Sequence, residues 1–403
     1  MYTNETLSNQ DHLLRAKLYL KGIAEVTSTW ESHEIFLRGT NEVMFKRVNQ
    51  LKDLGFFNAL IPCELGGIGL SWKEVVEAGR IASSFCPSSG WLLSLLSGHA
   101  GMLMRLPLQI IEDIIYSGSN NVLVATVTNT RDGKLYRKNH EGYVLNGTWH
   151  YCSGVDYADY VIVTSKLEFH DDFLGENKYL VLIKKNQFEV LDDWNVSGLS
   201  GTGSKSIVFN NLEVSYDKVF FRPDYFNNNE FSGYDVFESK EVLPVTTSLI
   251  LGPILGCFEG GLKSAICEIE SLVKKSNNST KFHYLHTLLN AKEQLNLMRI
   301  LYVDLISSVE KSIINGSIFS LEDKFNMLSK KSFFSKLALD SMSPIIQTIG
   351  SNGNSMLNNF RVFWNDMQAM STHMDVKWER ALSDFEHLSK NKDIQSLVIP
   401  EGY

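Results

Sequence analysis

The sequence predicts a mainly α protein with a central β domain. Residues 1–120 read as an N-terminal helical domain, 121–228 as an antiparallel β domain and 229–403 as a C-terminal four-helix bundle. Two observations carry this reading. Apolar residues recur at helical spacing at both ends of the chain. The middle instead holds short β-branched or aromatic runs, separated by Gly, Asn and Asp. Only 8 prolines in 403 residues also leave room for long uninterrupted helices.

Leu13, Leu14, Leu18, Leu20 and Ile23 mark the first helical stretch. The turn-rich PCELGGIGLS (62–71) follows, and Ser71 with Glu74 three residues on predicts a capped helix from Trp72. Pro87 and Gly90 are expected to end that helix, with a new one from Trp91. WLLSLLSGHAGMLMRLPLQII (91–111) is the most apolar stretch, but His99, Arg105, Pro107 and two glycines interrupt it, so it reads as a buried core helix rather than a membrane span. The β runs are NVLVATVT, GYVLNGTWHY, DYVIVTSKL, KYLVLIKK, FEVLDDW and KSIVFNNLEV, and RPDYFNNNEFSGYD (222–235) reads as a connector. Four long amphipathic segments (243–275, 283–313, 325–350 and 357–388) then predict the bundle.

Composition excludes several function classes. Hydrophobic residues make up 44% and charged residues 21%, an ordinary globular balance. A net charge of −8 without basic clusters argues against nucleic-acid binding. The five cysteines are widely spaced and none forms CxxC, so neither a disulfide framework nor a zinc site is expected. His283 and His286 lack a carboxylate at matching spacing, so no metal is expected there. The polar start has no secretory pattern, and the expected location is cytoplasmic.

Four segments stand out, the first as a mark of the fold and the other three as candidates for chemistry. LGFFNALIPCELGGIGLSWKEVVEA (54–78) supplies a glycine-rich turn between helices. GTWHYCSGVDYADYVIV (147–163) is a strand and polar turn. DWNVSGLSGTGSKSIVFNNLEV (193–214) is a Gly-rich loop followed by a strand, hence neither a P-loop nor a dinucleotide fingerprint. NNFRVFWNDMQAMSTHMDVKWERA (358–381) holds Arg361, Asn365, Asp366 and His373. On the residues alone, His99 on an apolar helix reads as a core histidine and Thr128 as an ordinary strand threonine.

These segments, in this order and over nearly the whole length, resemble the acyl-CoA dehydrogenase fold family. Ser371, Thr372 and His373 stand where dehydrogenases carry an EGT stretch. The chain there resembles the oxygen-activating branch, the two-component (group D) flavin-dependent monooxygenases of the hydroxyphenylacetate hydroxylase oxygenase type. The resemblance implies an enzyme that uses reduced FMN or FAD and O2, through a C4a-hydroperoxyflavin, to hydroxylate or N-oxidise an aromatic, amine or natural-product substrate. It implies a separate NAD(P)H:flavin reductase and a homotetramer; no membrane partner is expected, since the most apolar stretch is interrupted. Its implied cofactor residues are Trp149 packed on the flavin, Ser153 at flavin N5, and Tyr151, Thr126, Thr128, Gly201, Thr202, Ser204 and Arg361. His373 is the implied base or peroxide partner, with His99 orienting substrate and Ser153 and Thr128 assisting. The implied substrate residues are Trp91, Leu95, His99, Phe363 and Met370. GSNGNS (350–355) stands where FAD-binding relatives carry a glycine turn near adenine. The alternative is an acyl-CoA dehydrogenase or oxidase with FAD, which needs a carboxylate base, and Glu259 is its candidate.

Overall fold

In the computed structural model the described residues are 4–30, 40–117, 121–128, 132–138, 142–168, 178–222, 234, 236–239, 241–314, 319–351 and 358–390. The first layer is helical: α1 (Asn4–Thr27), α2 (Thr40–Asp53), α3 (Trp72–Ser83), α4 (Pro87–Leu103) and α5 (Leu108–Ser117). The start of α3 follows from its capping box. The Ser71 amide and hydroxyl both donate to Glu74 Oε2, at 2.9 and 2.5 Å, while Ser71 Oγ accepts the Lys73 amide.

Helix α4 starts at Pro87, four residues earlier than the sequence reading places it. Proline at the first helical position loses no hydrogen bond, because that amide has no intrahelical partner. Gly90 lies inside the helix for a packing reason: a Cβ there would stand 2.4 Å from the Ser83 amide nitrogen. All of α4 except Leu95 is buried, so the apolar run at 91–111 supplies a core helix.

Strands β1 (Val124–Val127), β2 (Lys134–Arg137), β3 (Gly142–Cys152), β4 (Tyr160–Glu168), β5 (Lys178–Lys184), β6 (Glu189–Val190), β7 (Lys205–Ser215) and β8 (Val219–Phe221) form one sheet in the order β6-β7-β3-β2-β4-β5-β8, with β1 also on β4. The sheet is mixed, not antiparallel as expected. β1 and β2 both run parallel to β4 along one edge of it, pairing Val124 with Tyr160 and Lys134 with Lys166. Residue patterning reports which runs are strands but carries no record of their direction.

The C-terminal part comprises α6 (Val242–Thr246), α7 (Leu251–Lys275), α8 (Asn278–Ile314), α9 (Leu321–Ile349), α10 (Asn359–Ser371) and α11 (Trp378–Ser389). The first expected segment is therefore a short helix, a turn and a long helix. The stretch 242–275 is apolar enough to match a membrane span in composition, with mean hydropathy 1.6, but 72% of that window is buried inside the protein. Glycines on α7 explain its packing. A Cβ on Gly252, Gly256 or Gly260 would lie 1.8, 2.0 or 2.3 Å from the carbonyl oxygens of Val76, Arg80 and Ser84. Helix α3 thus lies directly in a groove of small residues. The last expected segment also divides. The Thr372 and His373 amides close on Ala369 and Met370 at 3.2 and 3.1 Å, and the Val376 amide bonds His373 O at 3.0 Å. His373 therefore sits in a turn between α10 and α11.

Candidate active site

Helix α4 organises the site. Trp91, Leu95 and His99 are spaced by four and share one face, about 12 Å from first to last at 1.5 Å per residue. Each part of this helix meets a different element. Trp91 packs edge-on against His373, with ring centroids 5.4 Å apart. Leu92 and Leu96 bracket the 153–154 turn, where a Cβ on Gly154 would stand 2.9 Å from Leu96 Cδ2. His99 bonds β1.

The 153–154 turn starts a directed chain of hydroxyls. Thr202 Oγ donates to Leu199 O at 2.8 Å, a carbonyl that only accepts. The 2.7 Å contact between Thr202 and Ser204 must then use the Ser204 proton, and the 2.8 Å contact between Ser204 and Ser153 must use the Ser153 proton. Ser153, half-buried at the open end, is left with lone pairs to offer. The Gly154 amide, donating to Thr202 O at 2.9 Å, pins the two loops together. Asp366 on α10 holds the second loop from behind: its Oδ1 accepts the Leu199 amide at 2.5 Å, and Leu199 has a left-handed φ of 53°. Burial lifts the Asp366 carboxyl to about 7, against the lowering effect of the Leu199 amide and the Ser88 hydroxyl.

His99 has both ring nitrogens committed. Nδ1 lies 3.2 Å from Val124 O and Nε2 lies 2.9 Å from Thr126 Oγ1. The carbonyl only accepts, so the proton sits on Nδ1 and Nε2 accepts from Thr126. Burial lowers the ring to about 4, so it is neutral near pH 7. The structure thus brings His99 and Thr126 together but gives His99 the hydrogen bonds of a satisfied core histidine. Thr128 is exposed, one residue beyond the end of β1.

His373 is more open, with 37% of its side chain exposed. Its Nδ1 accepts weakly from the Asp375 amide at 3.4 Å and lies 3.7 Å from Asp375 Oδ2. Burial lowers its pKa, Asp375 raises it, and Lys331 and Arg380 lower it further. The same cluster contains Lys331 on α9, 4% exposed, whose Nζ donates to Thr247 Oγ1 at 2.7 Å.

Several expected contacts fall elsewhere. Trp149 is fully buried, edge-on to Phe209 at 5.1 Å, with its indole N–H on Thr164 O at 2.8 Å. It therefore offers no face to a flavin and is a sheet-core residue. Tyr151 is exposed at φ 67°. Gly201 is buried between helices, where a Cβ would lie 2.8 Å from Met44 Sδ and 2.9 Å from Ser88 Cβ. Phe363 packs on Gly260 and Gly261 of α7, and Met370 is fully buried, so both belong to the helical core. Arg361 sits about 15 Å along α10 from Ser371 at 1.5 Å per residue. Its buried Nε has no hydrogen-bond partner among the described residues. Glu259 is paired to Arg80 and, at 2.8 Å, to Arg299, which occupies the carboxylate a dehydrogenase would need. The adenine-side segment 350–355 lies mostly outside the described residues. Lys331 and Thr247 were missed. Lys331 stands in SKKS, which reads as solvated, although the helical spacing of Met327, Phe334, Ala338 and Met342 puts it on the buried stripe.

No family model matches the chain. It is 22% identical over 393 residues to the oxygenase component of an FADH2-dependent resorcinol hydroxylase from Rhizobium sp. strain MTP-10005, covering 93% of this chain and 95% of that protein. It is 23% identical over 372 residues to a dibenzothiophene monooxygenase from Rhodococcus qingshengii, covering 82% and 84%. Among solved structures, the HsaA monooxygenase of M. tuberculosis matches with a TM-score of 0.78 at 20% identity, over 94% of this chain and 98% of that one. XiaF from Streptomyces, in complex with FADH2 and glycerol, matches with a TM-score of 0.79 at 14% identity, over 96% and 98%. The homologues and structural neighbours of this chain are oxygenase components of two-component flavin-dependent monooxygenases, and it shares their acyl-CoA dehydrogenase-like fold.

Proposed function

We propose that this chain is the oxygenase component of a two-component flavin-dependent monooxygenase. It takes reduced flavin from a separate NAD(P)H:flavin reductase and transfers one oxygen atom of O2 to a small aromatic, amine or natural-product substrate. The observation that carries this reading is the direction of the Thr202–Ser204–Ser153 chain. N5 of a reduced flavin bears a hydrogen, whereas N5 of an oxidised flavin bears only a lone pair. A Ser153 that offers lone pairs complements the reduced form. Solved neighbours hold FADH2 and FMN, so either flavin is in keeping with the fold.

Ser153 would hold the flavin, with Thr126 on β1, Thr128 just past the strand's end, and Arg361 as a cation for the flavin's phosphate. Bound reduced flavin supplies the two electrons that reduce O2 while one oxygen atom reaches the substrate. The chain's own residues do the rest. Thr126 and His99 fix one wall as a neutral, fully bonded pair. His373, whose pKa is lowered by burial and whose Nδ1 accepts the Asp375 amide, carries its proton at Nε2 in the neutral form and serves as the acid–base group. Trp91 fixes the His373 ring and Leu95 lends an apolar surface that excludes water. The paired Glu259 leaves the dehydrogenase reading without a base.

The same proposal includes a homotetramer and a cytoplasmic location. An apolar stripe of Phe282, Leu289, Ile300 and Val303, each more than half exposed, runs along α8 and suits burial against a second copy. The free thiols of all five cysteines fit a reducing compartment.

The test is reconstitution with an NADH:flavin reductase, FMN or FAD, and a panel of phenols under 18O2. Labelled hydroxylated product is expected. Exchanging His373 for alanine should lower its formation by roughly 10²–10⁴-fold while flavin binding stays unchanged. Flavin turnover that yields only hydrogen peroxide with every phenol would count against the reading, and a loss below about threefold would remove His373 from the chemistry.

A further inference from the structure

We infer that Lys331 is the specificity-determining residue of this site, and that it recognises an anionic oxygen, carboxylate or phenolate, on the substrate. The inference rests on the oxygenase reading for where the substrate lies.

The argument starts from an uncompensated charge. Lys331 is 4% exposed, while its neighbour Lys330 reaches Asp304 at 2.7 Å on the surface. The Lys331 ammonium has three protons to place and meets one neutral acceptor, Thr247 Oγ1, at 2.7 Å. Thr247 spends its own proton on Leu243 O at 2.8 Å, so it can give Lys331 only a lone pair. Among the described residues Lys331 forms no ion pair. The acid that acts on it, Asp375, is already shared between Arg380 at 3.4 Å and His373 at 3.7 Å. A buried ammonium with one neutral partner is destabilising unless an anion joins it. Burial accordingly lowers this amine to about 8.

The ammonium also lies between two elements that pack on the helix of the candidate site. Thr247 starts the turn whose Leu249 abuts Gly98 on α4, next to His99. On its other side, the 372–377 turn carries Asp375 and His373, and His373 packs on Trp91 of α4. Both neighbours of Lys331 therefore lead back to the helix that carries Trp91, Leu95 and His99. A cation kept dry at this place, with donors to spare, is suited to orienting an anionic oxygen.

The experiment is calorimetric binding to the full-length protein at neutral pH, using two probe pairs: 3-hydroxybenzoate against its methyl ester, and resorcinol against 1,3-dimethoxybenzene. The wild type should favour one ionisable member over its capped partner by about tenfold or more, as expected for a charge-assisted hydrogen bond. Preference for the acid assigns a carboxylate, and preference for resorcinol alone assigns a phenolate. Lys331→Met should bring the ratio within about twofold while retaining or raising the melting temperature, because a buried charge is removed. Lys331→Arg should keep the preference. A wild type indifferent to both pairs, or a preference that survives in Lys331→Met, overturns the inference. Flavin binding is measured on the same preparations, so loss of the oxygenase reading would be seen separately from the Lys331 result.

Discussion

Ser153 can present lone pairs only because Ser204 and Thr202 take up its proton and pass the direction on to Leu199 O. In Ser204→Ala that proton is released toward the ligand. The ratio of affinities for reduced over oxidised flavin should then fall by about fivefold to tenfold, the worth of one hydrogen bond. Anaerobic titration with both redox forms measures it, and an unchanged ratio would mean the chain sets no direction. His99 makes a second prediction. Its folded pKa is about 4 against an ordinary 6.5. The unfolded chain therefore takes up a proton first on acidification, and the stabilisation present above about pH 6.5 is lost as pH falls toward about 4, some 3 kcal/mol in all. Melting temperature should fall more steeply between those limits in the wild type than in His99→Gln, and parallel curves would contradict this. The residue types of this site were legible in the sequence, but their orientation was not. Counting by twos along β3 places Trp149 and Tyr151 on one face, yet the register shifts between Trp149 and Cys152. That irregularity turns Tyr151 out to solvent and leaves Trp149 in the core.

At the level of elements, α3 and α7 are held together by the absence of side chains. Gly256→Ala would place a Cβ 2.0 Å from Arg80 O, where only backbone can yield. The substitution should cost about 1–3 kcal/mol and lower the melting temperature, whereas Ser271→Ala, exposed on the same helix, should leave it unchanged. Equal stability of the two variants would show that the helices can part without cost. The spacing of Gly252, Gly256 and Gly260 was available in the sequence as a mark of close helix approach. The break at 372–377 was not, because no proline or glycine stands there. His373 depends on that turn for its position beside Trp91.

For the molecule as a whole, a mainly helical chain around a strand-rich middle was legible from periodicity, while the parallel pairing of β1 and β2 with β4 was not. The stripe on α8 leaves the protomer with an uncovered apolar face. Ile300→Glu, on a residue 65% exposed, should lower the mass of the proposed homotetramer to that of the protomer in light-scattering chromatography without unfolding it, and an unchanged mass would place the contact elsewhere. The central claim, that this chain receives reduced flavin and directs its reaction with oxygen, is tested most directly by stopped-flow absorbance. Protein and reduced FMN or FAD are mixed anaerobically and then met with O2. The account predicts that oxidised-flavin absorbance appears only after a lag, and that the lag shortens in Ser153→Ala. Single-phase reoxidation as fast as that of free flavin, together with bleaching of bound oxidised FAD by an acyl-CoA, would contradict it.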